Sequence, residues 1–150
     1  MKTLFEKETC DELFTRIGDL TPECKREWGK MTPCQMMEHT ARVLEMATSD
    51  DQPIKQIFLG KALSWIFRKD FVGKKPFGKN APTGPDYKIT DEPEMEQTRE
   101  RLKELITKFH SYGPEKLDGN VHPFFGRLTG KEWGETQYKH VDHHLRQFGV

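Results

Sequence analysis

Apolar residues recur every three or four positions in five segments, so the pattern predicts helices throughout the chain. The predicted helices cover residues 8–20, 32–48, 54–71, 93–111 and 129–148. The third is apolar on most faces, and we expect other parts of the protein to cover much of it. Two long irregular connections, 72–93 and 114–128, separate the later helices, and the first is rich in proline and glycine. The fold class expected from this pattern is all-α.

Two of the helix starts carry strong capping signals. Thr32 precedes Pro33 and is followed at the third helical position by Gln35, and Thr129 is followed in the same way by Glu132. A threonine and a Gln or Glu at this spacing can satisfy two backbone N–H groups that the first turn leaves unpaired. We therefore expect the second and last helices to begin at these threonines.

The length and composition exclude several classes of protein. A chain of 150 residues is the size of one domain, so we predict a single domain over 1–150. Lys and Arg number 24, as do Asp and Glu, and this zero balance argues against nucleic-acid binding. Neither a membrane-spanning apolar run nor the apolar region of a secretory signal is found, so we expect no membrane partner and a cytoplasmic location.

The segment 60–79 departs from this neutral balance. It holds six basic residues and one acidic residue, and four aromatic residues lie among them: Trp65, Phe67, Phe71 and Phe77. A solvated helix edge and loop is the preferred interpretation. The alternatives are binding to an acidic surface, a phosphate or single-stranded nucleic acid, or attraction of a carboxylate-bearing cofactor.

The three cysteines, Cys10, Cys24 and Cys34, form no CxxC pair, and their odd number favours reduced thiols over a disulfide framework. Cys34 lies in the first turn of the second predicted helix. There the helix dipole could lower the pKa of its thiol and make it reactive, although a small buried side chain is the preferred interpretation.

The last predicted helix carries the strongest chemical signal. His140 and His144 are four residues apart, so their imidazoles stand on one face of the helix and can reach a single metal ion. They belong to a polar stripe that runs beside the apolar stripe of the same helix: Trp133, Gln137, His140, His144 and Gln147. Such a stripe is typical of a polar cleft inside a helical bundle.

A third ligand should come from another helix, and His39 is the candidate. It lies about 10 Å into the second helix, and the pair lies about 6–12 Å from the end of the last helix. If the two helices are antiparallel, all three rings lie at one level. We therefore predict a metal site formed by His39, His140 and His144. We expect four further residues to lie around these ligands or at the rim of the site: His143, Gln147, Gln137 and His122.

The sequence resembles the DinB/YfiT-like proteins, and within them a bacterial family of unknown function. The matching pieces are Trp28–Pro33, Gln35–His39, Phe125–Thr129, Trp133–Gly134, Tyr138–His140 and His143–Gly149. The resemblance implies an up-down-down-up four-helix bundle in which the second helix supplies one histidine and the last supplies two. These positions are His39, His140 and His144 here. The additional helix 54–71 and the loop 72–93 depart from the minimal bundle.

Three imidazoles leave a metal with open positions, which favours chemistry over a structural role. Relatives in the DinB-like superfamily include thiol-dependent transferases, so the first hypothesis is a metal-dependent S-transferase that uses a low-molecular-weight thiol and a small-molecule substrate. The alternatives are a metal-dependent hydrolase and a non-catalytic stress protein that binds a metal or small molecule. Zinc or nickel is the expected metal, iron or copper the alternative, and a homodimer is the expected assembly.

Overall fold

The computed structural model describes residues 1–50 and 55–150, except the side chain of Leu59. Within these residues the chain forms five α-helices: α1 (Lys7–Gly18), α2 (Pro33–Ala47), α3 (Phe58–Val72), α4 (Met95–Leu117) and α5 (Gly130–Arg146). A short 3₁₀-helix covers Pro85–Tyr87, and strands β1 (Val121–His122) and β2 (Gly126–Arg127) pair antiparallel. The mostly helical prediction is confirmed.

Both predicted capping boxes are present. Thr32 Oγ1 accepts a hydrogen bond from the Gln35 backbone N–H at 3.1 Å, and the Gln35 side chain accepts one in return from the Thr32 N–H. Thr129 and Glu132 make the same reciprocal pair at the start of α5. These caps fix where α2 and α5 begin, and therefore the depth of each histidine along its helix.

The hydrophobic core lies between α1, α2, α4 and α5, which pack against one another. Its largest fully buried side chains include one or two from each of these helices: Leu13, Ile17, Met37, Leu44, Ile106, Phe109 and Trp133. Helix α3 lies outside this group and packs against α5 and β2. The expectation that much of α3 is covered by protein is therefore wrong, because within the part of the chain that the structure describes one side of it packs and the other is exposed.

Helices α2 and α5 are antiparallel. The backbone N–H of Glu27, just before α2, donates to the Gln147 carbonyl, just after α5, at 2.7 Å. Further into α2, His39 meets His140, which lies earlier in α5. Moving from the first contact to the second goes forward along α2 and backward along α5, so the two helices run in opposite directions. This is the arrangement that the depth argument requires.

Two helix boundaries differ from the predictions by more than two residues. Helix α3 begins at Phe58, whereas residue 54, where the predicted helix starts, lies outside the described residues. Helix α4 reaches Leu117 with a kink at Gly113, whose φ of 68° is left-handed. Pro114 then starts another turn, because its fixed φ suits the first position of a helical segment. The segment 114–128 is consequently not all irregular, since it holds this turn and the β1–β2 hairpin.

Two buried cations terminate helices at their C-terminal ends. The Arg99 guanidinium donates to the carbonyls of Ile17, Gly18 and Leu20 at the end of α1. The Lys139 ammonium, on α5, donates to four carbonyls at the end of α3: those of Asp70, Phe71, Gly73 and Lys75. Because the last carbonyls of a helix have no partner within it, each cation satisfies groups that would otherwise need water. Lys139 thereby fixes the start of the loop that follows α3.

Among the described residues, no helix is long and apolar enough to cross a membrane.

Candidate metal centre

His39 projects from the middle of α2 and is buried. Its Nδ1 lies 2.9 Å from the carbonyl oxygen of Tyr87, the last residue of the 3₁₀-helix. A carbonyl can only accept a hydrogen bond, so Nδ1 carries the proton. The lone pair of His39 is therefore on Nε2, the nitrogen that faces α5.

His144 is held in the same tautomer by a short relay. Its Nδ1 lies 3.0 Å from Gln147 Oε1, and Gln147 Nε2 donates to the Trp28 carbonyl at 2.7 Å. The Trp28 contact fixes which way the amide of Gln147 points, so its oxygen must accept from His144. Nε2 of His144 thus carries the lone pair.

The three imidazoles converge in one cluster. His39 Nε2 lies 3.2 Å from His140 Nε2, and the ring centroids of the three pairs are 4.7 to 5.1 Å apart. One ring nitrogen from each histidine can be chosen so that all three lie within 4.8 Å of one another. Nitrogen ligands about 2.0–2.1 Å from one zinc ion are separated by roughly 3–4 Å, so small adjustments complete the site.

Burial keeps all three rings neutral. It lowers the pKa of His39, and it lowers that of His144 to about 3. The pKa of His140 lies well below its usual value, because of burial first and the neighbouring histidines second. Neutral imidazole is the form that binds a metal, so the site needs no proton release from these rings at neutral pH.

Two buried polar atoms near this cluster have no hydrogen-bond partner among the described residues. They are Nδ1 of His140 and Oε1 of Gln137. The two residues are three positions apart on α5, so they lie on neighbouring turns of the same face. Orphaned polar atoms of this kind are uncommon in native interiors and call for an explanation.

The remaining predicted neighbours occupy two different places. His143 packs beside the cluster, with its ring 5.1 Å from that of His144, 5.5 Å from Trp28 and 6.1 Å from Phe77. It does not belong to the convergent set. His122 is the last residue of β1, and its Nδ1 accepts hydrogen bonds from the backbone N–H groups of Phe124 and Phe125 in the turn that follows.

The loop after α3 contributes groups that sequence reasoning missed. The Tyr87 carbonyl orients His39, and the Phe77 ring lies 6.5 Å from His140. Lys139 Nζ lies 4.3 Å above the Phe77 ring and binds the backbone on either side of Gly73. A backbone carbonyl leaves no signal in a sequence. A lysine next to a predicted ligand was visible, but its partners were not.

The preferred interpretation of Cys34, a small buried side chain, is confirmed. The side chain is buried, and its Sγ lies 3.3 Å from Met95 Sδ. Burial, with Glu92 as a second cause, raises the pKa of the thiol rather than lowering it. The reactive thiolate that the helix dipole would favour is therefore wrong, because desolvation and a nearby carboxylate outweigh the dipole.

Among the described residues the cluster contains histidines only. Glu38, the carboxylate next to His39 in sequence, is paired with Arg42 at 2.8 Å and with Arg101 at 2.8 Å. Its carboxylate is thus occupied at the contact between α2 and α4, where Arg101 lies. The donor set is three neutral imidazoles without a built-in acid or base, which suits a divalent transition metal with open positions.

Comparison with known proteins identifies a family for this chain. No curated protein and no solved structure matches the chain. A family described as "Protein of unknown function (DUF1569)" matches residues 3–149. The DinB-like resemblance is not tested by this match and stays a prediction. Since the match spans nearly the whole chain, the protein belongs to the DUF1569 family.

Proposed function

We propose that His39, His140 and His144 bind one divalent transition metal through Nε2 and leave positions open for a second molecule. The observation that carries the proposal is the matched orientation of the rings. His39 and His144 each donate Nδ1–H to a fixed oxygen, which directs their lone pairs into the space they share with His140. Metal-binding histidines usually have such an outer partner, which fixes both tautomer and ring direction.

Gln137 is proposed as the corresponding partner of His140. If His140 binds through Nε2, its proton must be on Nδ1, a buried atom that lacks an acceptor. Gln137 Oε1 is a buried acceptor that lacks a donor, one turn away. A bond between the two, direct or through one water, satisfies both atoms and gives all three histidines an outer oxygen.

Zinc or nickel is the metal we propose, with iron or copper as alternatives. Three neutral imidazoles are borderline ligands that suit all four, so geometry alone favours none of them. A structural zinc site would normally have four protein ligands. Three ligands instead favour a site where an external molecule completes the coordination.

The activity we propose is transfer of a low-molecular-weight thiol to a small electrophile, within a DinB-like bundle of α1, α2, α4 and α5. The metal would supply Lewis acidity that favours the thiolate at neutral pH. The chain's own residues hold the rings, exclude water with Phe77 and Trp28, and keep His140 neutral. A hydrolase is less favoured, because the nearest carboxylate in sequence, that of Glu38, is held by two arginines.

Two measurements test the proposal. Elemental analysis of protein purified without a His-tag should find about one transition metal per chain. Calorimetry with glutathione and with cysteine should then show thiol binding to metal-loaded protein and weak binding to the metal-free form. With 1-chloro-2,4-dinitrobenzene, sulfur attacks the ring carbon, chloride leaves and the thiol proton goes to solvent.

The outcomes separate the candidate functions. Metal binding with equal thiol affinity in both forms would remove the transferase and leave a metal-binding protein. Turnover of a p-nitrophenyl ester without thiol would favour the hydrolase. A chain that retains no metal after dialysis against each of the four ions would remove the site itself.

A further inference from the structure

Over most of its length, helix α3 packs on the protein through small or polar residues, and apolar packing begins at Phe71 and Val72. The Gly60 backbone lies so close to Phe124 that an added Cβ would be 2.5 Å from the Phe124 carbonyl oxygen. One turn further, Ser64 is half-buried, and Arg68 donates to the Phe125 carbonyl and to Glu132. These contacts attach α3 to the hairpin and to α5, together with Phe71 at its end, which stacks on Phe125. They leave the large apolar residues in the first part of the helix exposed.

The opposite side of α3 presents apolar residues to solvent. Phe58 is 87% exposed, Trp65 77% and Ile66 46%. Six exposed residues of α3 follow one another at spacings of 3, 1, 3, 1 and 3 positions, and we call the surface that they form the α3 stripe: Phe58, Lys61, Ala62, Trp65, Ile66 and Lys69. This spacing places all six on one side of a helix. A continuous apolar surface of this kind, on a protein whose core is elsewhere, marks a contact site.

The stripe is also the basic part of a neutral chain. Lys61 and Lys69 lie on it, and Lys74 and Lys75 follow in the next loop, all exposed and in no ion pair among the described residues. Asp70 is the one acidic residue between positions 60 and 79. Net positive charge is therefore concentrated in this segment, beside the exposed Trp65.

This charge decides between the occupants of the stripe. In a two-fold antiparallel pair of α3 helices, each flank of one helix lies beside the same flank of its partner. If such a pair is centred on Trp65, Lys61 of each helix lies level with Lys69 of the other, so lysines meet at both ends of the contact. An anionic surface complements every lysine at once. The 15 residues of α3 are too few to span a bilayer but enough to lie along one.

We propose that the α3 stripe binds an anionic lipid surface, with α3 lying in the plane of the headgroups. Phe58, Trp65 and Ile66 insert between the lipids, while the lysine stems cover apolar surface and keep their ammonium groups among the phosphates. Apolar contact and a basic cluster are the two signals that reversible surface binding requires. This function is independent of the histidine cluster.

Co-sedimentation with vesicles tests the proposal on the whole chain. The protein should pellet with vesicles of equal parts phosphatidylglycerol and phosphatidylcholine. It should bind at least about tenfold more weakly to phosphatidylcholine alone, and added salt should weaken the first interaction. The Phe58→Ser/Trp65→Ser double variant and the Lys61→Gln/Lys69→Gln double variant should each lose about tenfold in affinity for the anionic vesicles.

Phe67→Ser is the matched control, because Phe67 is 50% exposed on the same helix but lies well away from the stripe. Its affinity should change less than about twofold. Tryptophan fluorescence gives a second readout, since anionic vesicles should shift the emission of the native chain to the blue and should not shift that of Trp65→Phe. Circular dichroism checks that each variant folds.

Three results would overturn the proposal. The first is a native chain that stays in the supernatant with anionic vesicles. The second is a dimer in sedimentation velocity, without lipid, that Trp65→Ser dissociates, because a second copy would then cover the stripe. The third is binding of poly-glutamate with the same dependence on Trp65 and Lys61, without vesicle binding, which would indicate an acidic protein partner.

Discussion

Helices α5 and α3 are neighbours with opposite arrangements of polar and apolar residues. Helix α5 buries polar groups, and Lys139, His144 and Gln147 each have a defined partner. Helix α3 exposes apolar groups, led by Phe58 and Trp65. Each arrangement costs free energy that an ordinary surface helix avoids. The comparison shows that a polar interior indicates a ligand inside the bundle, whereas an apolar exterior indicates a partner outside it.

The largest effect that we expect is on metal affinity, when a ligand on α5 is removed. His140→Ala should weaken zinc or nickel binding by a factor of about 100 or more, because two imidazoles cannot replace three. His143→Ala, the neighbouring control, should leave metal content nearly unchanged, since its ring is outside the convergent set. Calorimetry and elemental analysis measure both. Loss of metal in His143→Ala with retention in His140→Ala would mean that the assigned ligands are wrong.

Lys139 joins the two helices, so its removal tests whether α5 holds α3 in place. Lys139→Met should lower the free energy of unfolding by about 2–3 kcal/mol, because four carbonyls lose a charged donor. Urea denaturation measures the change. Lys131→Met is the control on the same helix, since the Lys131 side chain is 80% exposed, and it should have almost no effect. Equal stability of the two variants would contradict the capping role.

Lowering the pH should destabilise the metal-free protein through His122. Burial lowers the pKa of His122 to about 4, whereas an unfolded histidine titrates near 6.5. At a pH between these two pKa values, His122 is protonated in the unfolded chain and neutral in the folded chain. Stability from this group is therefore complete above about pH 6.5 and falls toward pH 4, by at most about 1.4 kcal/mol per pH unit.

Urea midpoints measured from about pH 7.5 to about pH 4.5, a range that includes most of the His122 titration, give this slope. The control is His122→Asn, which keeps an acceptor for the Phe124 and Phe125 N–H groups but cannot titrate. It should show a shallower slope than the native chain. Identical slopes would mean that His122 accepts its proton in the folded state as readily as in the unfolded one.

Gln137 tests whether the polar interior of α5 serves the metal. Gln137→Leu should weaken metal binding by about tenfold, the usual effect of losing an outer partner. The free energy of unfolding of the metal-free protein should change by no more than about 1 kcal/mol, because the deleted oxygen has no partner there. Gln137→Glu keeps an acceptor and should bind metal at least as well as the native chain. Unchanged metal affinity in Gln137→Leu would remove Gln137 from the site.

The smallest expected effect concerns the exposed side of α3. Trp65→Ser should change the free energy of unfolding by less than about 0.5 kcal/mol, because the indole is 77% exposed and supports little packing. Thermal denaturation measures it. A loss of several kcal/mol would show that Trp65 is part of the core, and the contrast between the two helices would then fail.

The sequence predicted the site better where the information is local. The Thr32 and Thr129 caps indicated the starts of α2 and α5. Counting forward from Thr32 and back from the end of the last helix placed the three histidines at one level, provided that the two helices are antiparallel. The hydrogen bond between Gln147 and His144 is also local, because the two residues are three positions apart at the end of α5. By contrast, the Tyr87 carbonyl that orients His39 lies 48 residues further along the chain. Its position could not be predicted, because a backbone oxygen is present at every residue and leaves no pattern in the sequence.

The position of α3 was decided by tertiary structure alone. Its apolar residues predicted a covered helix, yet Gly60 and Arg68 attach it through close backbone contact and hydrogen bonds instead. For Cys34 the sequence favoured a buried side chain, but only the structure shows that Glu92 lies close enough to raise the pKa of the thiol further. Periodicity and capping act within a few residues and can be counted along the chain. Burial, desolvation and the acceptor that each buried donor finds depend on which distant segments the fold brings together.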